Sequence, residues 1–427
     1  MTALNHIEGA VTLKHTFALP LDYQQPQNTI TVFAREMRGL QAGAEQLPFL
    51  VYFQGGPGFG AQRPISNSGW LKRALQQYRV LLLDQRGTGL SSPISYASLA
   101  HLDSDAQAAY LSHFRADNIV RDAEAIRAQL SPNTPWTVLG QSFGGFCILR
   151  YLTDAPAGLK AALITGGIPS INRSADEVYQ ATFKRVLQKN TDFFHRFSDA
   201  RALTDNLVNY LRQHDVTLAN GDKLTVEMLQ LLGINLGMEQ GAESVYYLLE
   251  QALIDTAAGQ TLNPLFLAQF NEMLSYHTNP IYAILHESIY CQQQASNWAA
   301  HRVRAGLPEF ASDAASVLFT GEMVFPWMFD QITWLKPLKA AAEKLAAKAD
   351  WPMLYDVNTL QQNTVPVAAA VYSNDMYVER QFSEETAAQI PNLRTWVTSE
   401  YEHNGIRMDG EHILDKLLAL ISGEQLR

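Results

Sequence analysis

The chain of 427 residues contains only two cysteines, Cys147 and Cys291. Two thiols so far apart build neither a disulfide framework nor a thiolate metal cluster. Each lies in an apolar, helix-like stretch, so both are expected as buried free thiols. An excess of positive charge is also lacking: 32 Lys and Arg against 42 Asp and Glu leave a net charge of −10. Nucleic acids and anionic membranes are bound through basic faces, so neither is expected as a partner. No run approaches the roughly eighteen uninterrupted apolar residues of a membrane span. The opening MTALNHIEGAVTLKH has no long apolar run behind a basic start, which argues against a signal peptide. Repeats and low-complexity linkers are missing too. These absences point to a soluble protein of a reducing compartment, with the cytoplasm as the expectation. What remains is ordinary for a globular protein with a large core: 47% hydrophobic and 17% charged residues.

Hydrophobic patterning divides the chain in three. GAVTLKHTFALPL and NTITVFAREM alternate, as half-buried strands do, and DYQQPQ reads as a polar link between them. LPFLVYFQ, YRVLLLD, PWTVLG and LKAALITGG are short, nearly continuous apolar runs that suit strands buried on both faces. Between two of them, Ile119, Val120, Ala123, Ile126 and Leu130 repeat with a helical period. Strand, helix, strand, helix, strand implies a mostly parallel sheet. From about 171 to 350 the texture becomes helical, with segments such as VYQATFKRVLQKNTDFFHRF and SVYYLLEQALI. VPVAAAVYSND then resumes the buried-strand pattern. SEETAAQI follows as a helix with Ser383 as its expected N-cap, LRTWVTS is a last strand, and EHILDKLLALIS is a closing helix. The expected organisation is an α/β core in two parts, 1–170 and 351–427, with a large helical cap at 171–350.

The chemistry centres on Gly140-Gln141-Ser142-Phe143-Gly144. A G-x-S-x-G sequence between a buried strand and a helix forms a sharp elbow that presents the serine hydroxyl at the helix N-terminus. The Phe143 N–H then faces a developing oxyanion. A nucleophilic serine needs a base, and the base needs an orienting acid, in the chain order Ser, Asp or Glu, His. His403, in SEYEHNGIR, lies between the last strand and the closing helix, where a loop hangs over the strand ends. Asp375, in SNDMY, follows the strand before it. Glu400 and Glu402 are rivals for the acid, but lie too close in sequence to reach the far ring nitrogen. FQGGPGFG follows a strand, and its glycines let backbone N–H groups point into a pocket; Gly56 is the candidate second oxyanion donor.

Of two other readings, the first is disfavoured and the second fails on sequence grounds. Gly56 to Ala61 also fits the dinucleotide pattern G-x-G-x-x-G/A, but Pro64 and further turn residues leave no helix there to hold a pyrophosphate. His286-Glu287 begins a zinc-helix pattern, but Tyr290 stands where the second histidine would be. Asp84 and Arg86, at the end of YRVLLLDQR, read as a charged pair that holds a loop.

GGPGFG, DQRGTGLSSP, GQSFGGF, YSNDMYV and EHNG occur here in an order that resembles the proline iminopeptidases of peptidase family S33, in the α/β-hydrolase superfamily. The resemblance spans nearly the whole chain. It implies an α/β-hydrolase core with a helical cap, and release of an N-terminal residue, preferably proline, from short peptides. It implies Ser142 as nucleophile, His403 as base, Asp375 as orienter, and an oxyanion hole from the N–H groups of Phe143 and Gly56. Such enzymes read the free amino group with cap carboxylates, which implies Glu287 and Glu322 here, with Phe325 and Trp327 packing the proline ring. The implied partner is a short peptide with a free N-terminus, and no metal or organic cofactor is required. The sequence departs from many members in carrying Gln54 where they have histidine, and in its longer cap. An esterase or acyltransferase of the same fold, which shares the triad but ignores the amine, is the alternative. The oligomeric state is not legible.

Overall fold

The computed structural model describes residues 4–274, 276 and 278–425. Alternation near the start of the chain produces a long antiparallel meander: β1 (Asn5–Ile7), β2 (Ala10–Asp22) and β3 (Gln25–Arg38). In β2, Phe17 and Leu19 are buried while Thr16 and Ala18 face out. The turn between β2 and β3 is tighter than the polar link suggests. Asp22 pairs with Gln25, so Pro26 lies inside β3, at the strand start where its missing N–H is tolerated.

The continuous apolar runs become β4 (Phe49–Phe53), β5 (Arg79–Asp84), β6 (Trp136–Gln141) and β7 (Leu159–Thr165). After a separate two-stranded hairpin, β8 (Leu253–Thr256) with β9 (Gly259–Leu262), the main sheet resumes with β10 (Val367–Tyr372) and β11 (Leu393–Thr398). The order in the main sheet is β1-β2-β3-β5-β4-β6-β7-β10-β11. The pairs from β5 to β11 are all parallel. Successive residues of a strand point to opposite faces, so β4 feeds two core layers. Phe49, Val51 and Phe53 join one layer, and Leu50 and Tyr52 the other. Each such buried side chain contributes roughly 1.5–3 kcal/mol.

Helix α1 (Ala116–Leu130) crosses from β5 to β6 and buries Ile119, Val120, Ala123 and Ile126, the face expected from their spacing. Helix α2 (Phe143–Asp154) crosses from β6 to β7. Between β7 and β10 the chain is largely helical. It begins with α3 (Ala175–Arg196), started by a capping box of Ser174 and Glu177, and includes the short α4 (Ala299–Ala305). The β8–β9 hairpin interrupts that texture: the helix of SVYYLLEQALI stops at Glu250, and its last Leu253 and Ile254 enter β8. Helix α5 (Arg380–Ala387) starts earlier than Ser383 signals. Glu379 caps it, and Ser383 sits inside it, its hydroxyl donating to the Ile168 carbonyl at 2.9 Å. Helix α6 (Gly410–Ser422) closes the chain with Ile413, Leu414, Leu417 and Leu420 buried. Cys147 and Cys291 are buried free thiols, as expected, and burial pushes both up in pKa. Among the described residues no helix is long and apolar enough to cross a membrane.

Parallel strands present all their carboxyl ends along one edge, where ligand sites of open α/β sheets form. The loops after β4, β6, β10 and β11 carry Gly56, Ser142, Asp375 and His403 respectively.

Candidate active site

β6 ends at Gln141 and α2 begins at Phe143, so Ser142 alone makes the turn. Its backbone sits at φ 56°, ψ −126°, a conformation that costs a non-glycine residue about 1–3 kcal/mol. Neighbouring strands hold it there. The Ser142 N–H donates to the Thr165 carbonyl at 3.0 Å, and the Ser142 carbonyl accepts from Gly145 N–H at 2.7 Å. Gly144 is fixed by close approach, because a Cβ there would lie 2.0 Å from the Phe53 carbonyl oxygen. The Phe143 N–H is the first donor of α2 and has no partner within the helix.

His403 and Asp375 meet as the chain order required. Imidazole Nδ1 lies 2.7 Å from Asp375 Oδ2. An ionised carboxylate only accepts, so Nδ1 carries the proton and Nε2 is left with a lone pair. Asp375 Oδ1 accepts from the N–H groups of Tyr377 (2.8 Å) and Val378 (3.1 Å), which orients the carboxylate. Both side chains are almost wholly buried. Burial alone would push the His403 pKa down. The charge of Asp375 and the hydrogen bond to it outweigh burial, with help from Glu322 and against Arg407, and the net shift is upward.

A cavity of about 230 Å³ opens above these residues. Ser142, His403, Gly55 and Gly56 form its floor, and Glu322, Tyr282 and Met238 face them from the helical region. The loop after β4 comes close: a Cβ on Gly55 would lie 3.0 Å from that of Ser142. Glu322 Oε1 accepts from the Tyr282 hydroxyl at 2.6 Å, and its other oxygen lies 4.0 Å from His286 Nε2. Burial, and then the charge of Glu322, raises the Tyr282 pKa, so the phenol stays a donor. Burial lowers the pKa of His286. Among the described residues the carboxylate has a neutral donor in Tyr282 and no Lys or Arg in ion-pair contact, although Arg407 also lines the cavity. Phe59 packs edge-on to Tyr282, centroids 5.1 Å apart, and adds an aromatic wall.

Three residues expected in the pocket are not on its walls. Glu287 is buried beneath α4, where Oε2 accepts from Ala299 N–H at 3.0 Å and Oε1 from Ala300 N–H at 2.9 Å. It caps a helix twelve residues away in sequence. Burial pushes its carboxyl up in pKa, against the pull of those amides. Phe325 is fully buried, stacked on Trp327 and covered by the Arg304 guanidinium. The aromatic residues at the cavity are Phe59 and Tyr282 instead. Nothing in the local pattern singles out Tyr282 beyond its place one turn before His286.

Asp84 and Arg86 hold loops, but not with each other. Asp84 binds Arg63, Ala61 N–H and Leu90 N–H; Arg86 binds Asp122 and the carbonyls of Pro20, Leu21 and His113.

The Glu287 geometry predicts a structural phenotype. Glu287→Ala leaves two buried N–H groups unpaired and should cost about 2–4 kcal/mol. Urea denaturation measures it, and KM for a prolyl amide should stay within about twofold. Undiminished stability with a large rise in KM would return Glu287 to substrate binding.

The sequence matches the α/β hydrolase fold family over residues 48–406. It is 55% identical to the proline iminopeptidase of Aeromonas sobria, across 97% of both chains. The chain belongs to the proline iminopeptidase family of α/β hydrolases. A more distant member of that family, the proline iminopeptidase aneH of Aspergillus aculeatus, is 35% identical across 96% of this chain and 93% of its own. Among solved structures, the proline iminopeptidase of Mycobacterium smegmatis superposes over 96% of the chain at 14% identity, with a TM-score of 0.46.

Proposed function

We propose that this chain is a serine aminopeptidase that releases an N-terminal residue, preferably proline, from short peptides. The observation that carries the reading is that one small cavity brings Ser142, His403 and the cap carboxylate Glu322 together. At about 230 Å³ it is smaller than the ~300–1,000 Å³ of drug-sized ligand sites, which suits a single terminal residue.

In this reading His403 Nε2 takes the proton of Ser142 as the hydroxyl attacks the first carbonyl carbon. The N–H groups of Phe143 and Gly56 receive the oxyanion. Collapse expels the shortened peptide, whose nitrogen takes the proton from His403. Water, deprotonated by the same histidine, then hydrolyses the acyl-enzyme and frees the amino acid. Asp375 keeps the imidazole in the required tautomer throughout. Glu322 pairs with the substrate's ammonium, and Tyr282 holds that carboxylate in place. We assign the core to 1–170 and 351–427 and the cap to 171–350. A reducing, cytoplasmic setting suits the two buried free thiols.

The test compares proline β-naphthylamide with its N-acylated form, on wild type and Glu322→Gln. Wild type should cleave the free amine only, and Glu322→Gln should lose roughly 10- to 100-fold in kcat/KM, the worth of one charge-assisted bond. Equal rates on the two substrates would sink amine recognition and favour an esterase.

A further inference from the structure

The loop that carries His403 is held from outside the core. Three successive residues of it bond to two residues of the helical region, Gly237 and Glu239. The Glu402 N–H donates to Glu239 Oε1 at 2.9 Å. The His403 N–H donates to the Gly237 carbonyl at 3.1 Å. The Glu239 N–H donates to Asn404 Oδ1 at 2.8 Å. Lys189 of α3 adds an ion pair to Glu402.

The same strap touches the other parts of the site. Ile234 and Met238 line the cavity. The Tyr377 hydroxyl donates to the Ile234 carbonyl, and the Tyr377 ring packs against the imidazole, centroids 4.4 Å apart. Gly237 is pressed so closely on the Asp375 loop that a Cβ would lie 2.4 Å from Tyr377 Cε2 and 2.5 Å from Met376 Cγ. One short segment thus faces the substrate space, the histidine loop and the aspartate loop at once.

We propose that Glu239 is a positioning residue for the reaction: its carboxylate locks the cap strap onto the His403 loop and so sets the imidazole against Ser142. This rests on the reading of His403 as the base. Two of the three bonds use backbone or Asn404 groups; the third depends on the reach of the Glu239 side chain. Without it the Glu402 N–H loses its acceptor and the loop is free to shift. Displacements of about 1 Å at a catalytic group cost on the order of 100-fold in rate.

The experiment measures kcat and KM on proline β-naphthylamide for Glu239→Ala, Glu239→Asp and Glu239→Gln, with His403→Ala beside them. Glutamine keeps both the reach and an acceptor oxygen, while aspartate keeps the charge but is one methylene short. Glu239→Ala and Glu239→Asp should lose roughly 10- to 100-fold in kcat with KM within about twofold, and Glu239→Gln should stay near wild type. If the alanine variant does not fold, the aspartate and glutamine pair decides by the same criteria. Wild-type kcat in Glu239→Asp, equal losses in Asp and Gln, or a loss confined to KM would each overturn the proposal. If His403→Ala abolishes turnover while the Glu239 variants do not, the positioning role alone falls. If His403→Ala remains active, the assignment of the base falls with it.

Discussion

Ser142→Ala should reduce turnover of prolyl amides by on the order of 10⁴- to 10⁶-fold, the scale on which a serine hydrolase loses its nucleophile. The substitution removes a single oxygen. It leaves the elbow in place, because the bonds to the Thr165 carbonyl and from Gly145 N–H are made by the Ser142 backbone. Alanine meets the same left-handed φ as serine, so thermal stability should change little. A serine-directed phosphonate should add its mass to the wild-type chain and not to the variant. Residual activity above about 1% of wild type, or labelling that persists in the variant, would mean that another nucleophile acts and that the elbow is only a turn.

The second large effect belongs to Asp375→Asn. The side chain is nearly isosteric and still accepts from Tyr377 and Val378 N–H through its oxygen, so the loop should keep its shape. Its amide, however, donates to the imidazole Nδ1. That places the ring proton on Nε2, where it blocks removal of the Ser142 proton, and kcat should fall by roughly 10³- to 10⁴-fold. The pH profile should move as well. In the proposed mechanism His403 works as the base only when neutral, and its raised pKa should set the acid limb of kcat/KM above the ordinary histidine value of about 6.5. With the Asp375 charge gone, burial dominates and lowers the His403 pKa, so the residual limb should shift to lower pH. A loss below tenfold with an unmoved limb would show that Asp375 neither orients nor charges the histidine.

The parts of this site that could be read in the sequence are those tied to strand ends. Ser142, Asp375 and His403 each follow a strand legible in the sequence, and a parallel sheet brings such ends to one edge whatever lies between them. What escaped depends on contacts that local spacing does not encode. Glu287 looks like any carboxylate on a helix, yet its oxygens serve the start of α4. Ser383 has the chemistry of an N-cap, but Glu379 starts the helix a turn earlier, and the serine turns inward to a carbonyl of another segment. Asp84 and Arg86 are two apart where the chain leaves β5, but each meets a partner from another part of the chain, Arg63 or Asp122. The bond from Glu402 to Glu239 spans 163 positions, and no periodicity announces it.

The direct pairing of β7 with β10 has a consequence for how this enzyme can vary. Val367 sits beside Ala162 in the sheet, so the chain leaves and re-enters the core through adjacent strands. Closing a loop costs only about 0.6 kcal/mol for each doubling of its length, so the roughly two hundred residues in between are entropically cheap to lengthen or trim. Under the proposed assignment of the site, substrate preference should drift by insertion and deletion in that excursion while the sheet edge that carries Ser142, Asp375 and His403 stays put. The limit on such drift is the short stretch around Gly237, where a lost hydrogen bond would reach the histidine.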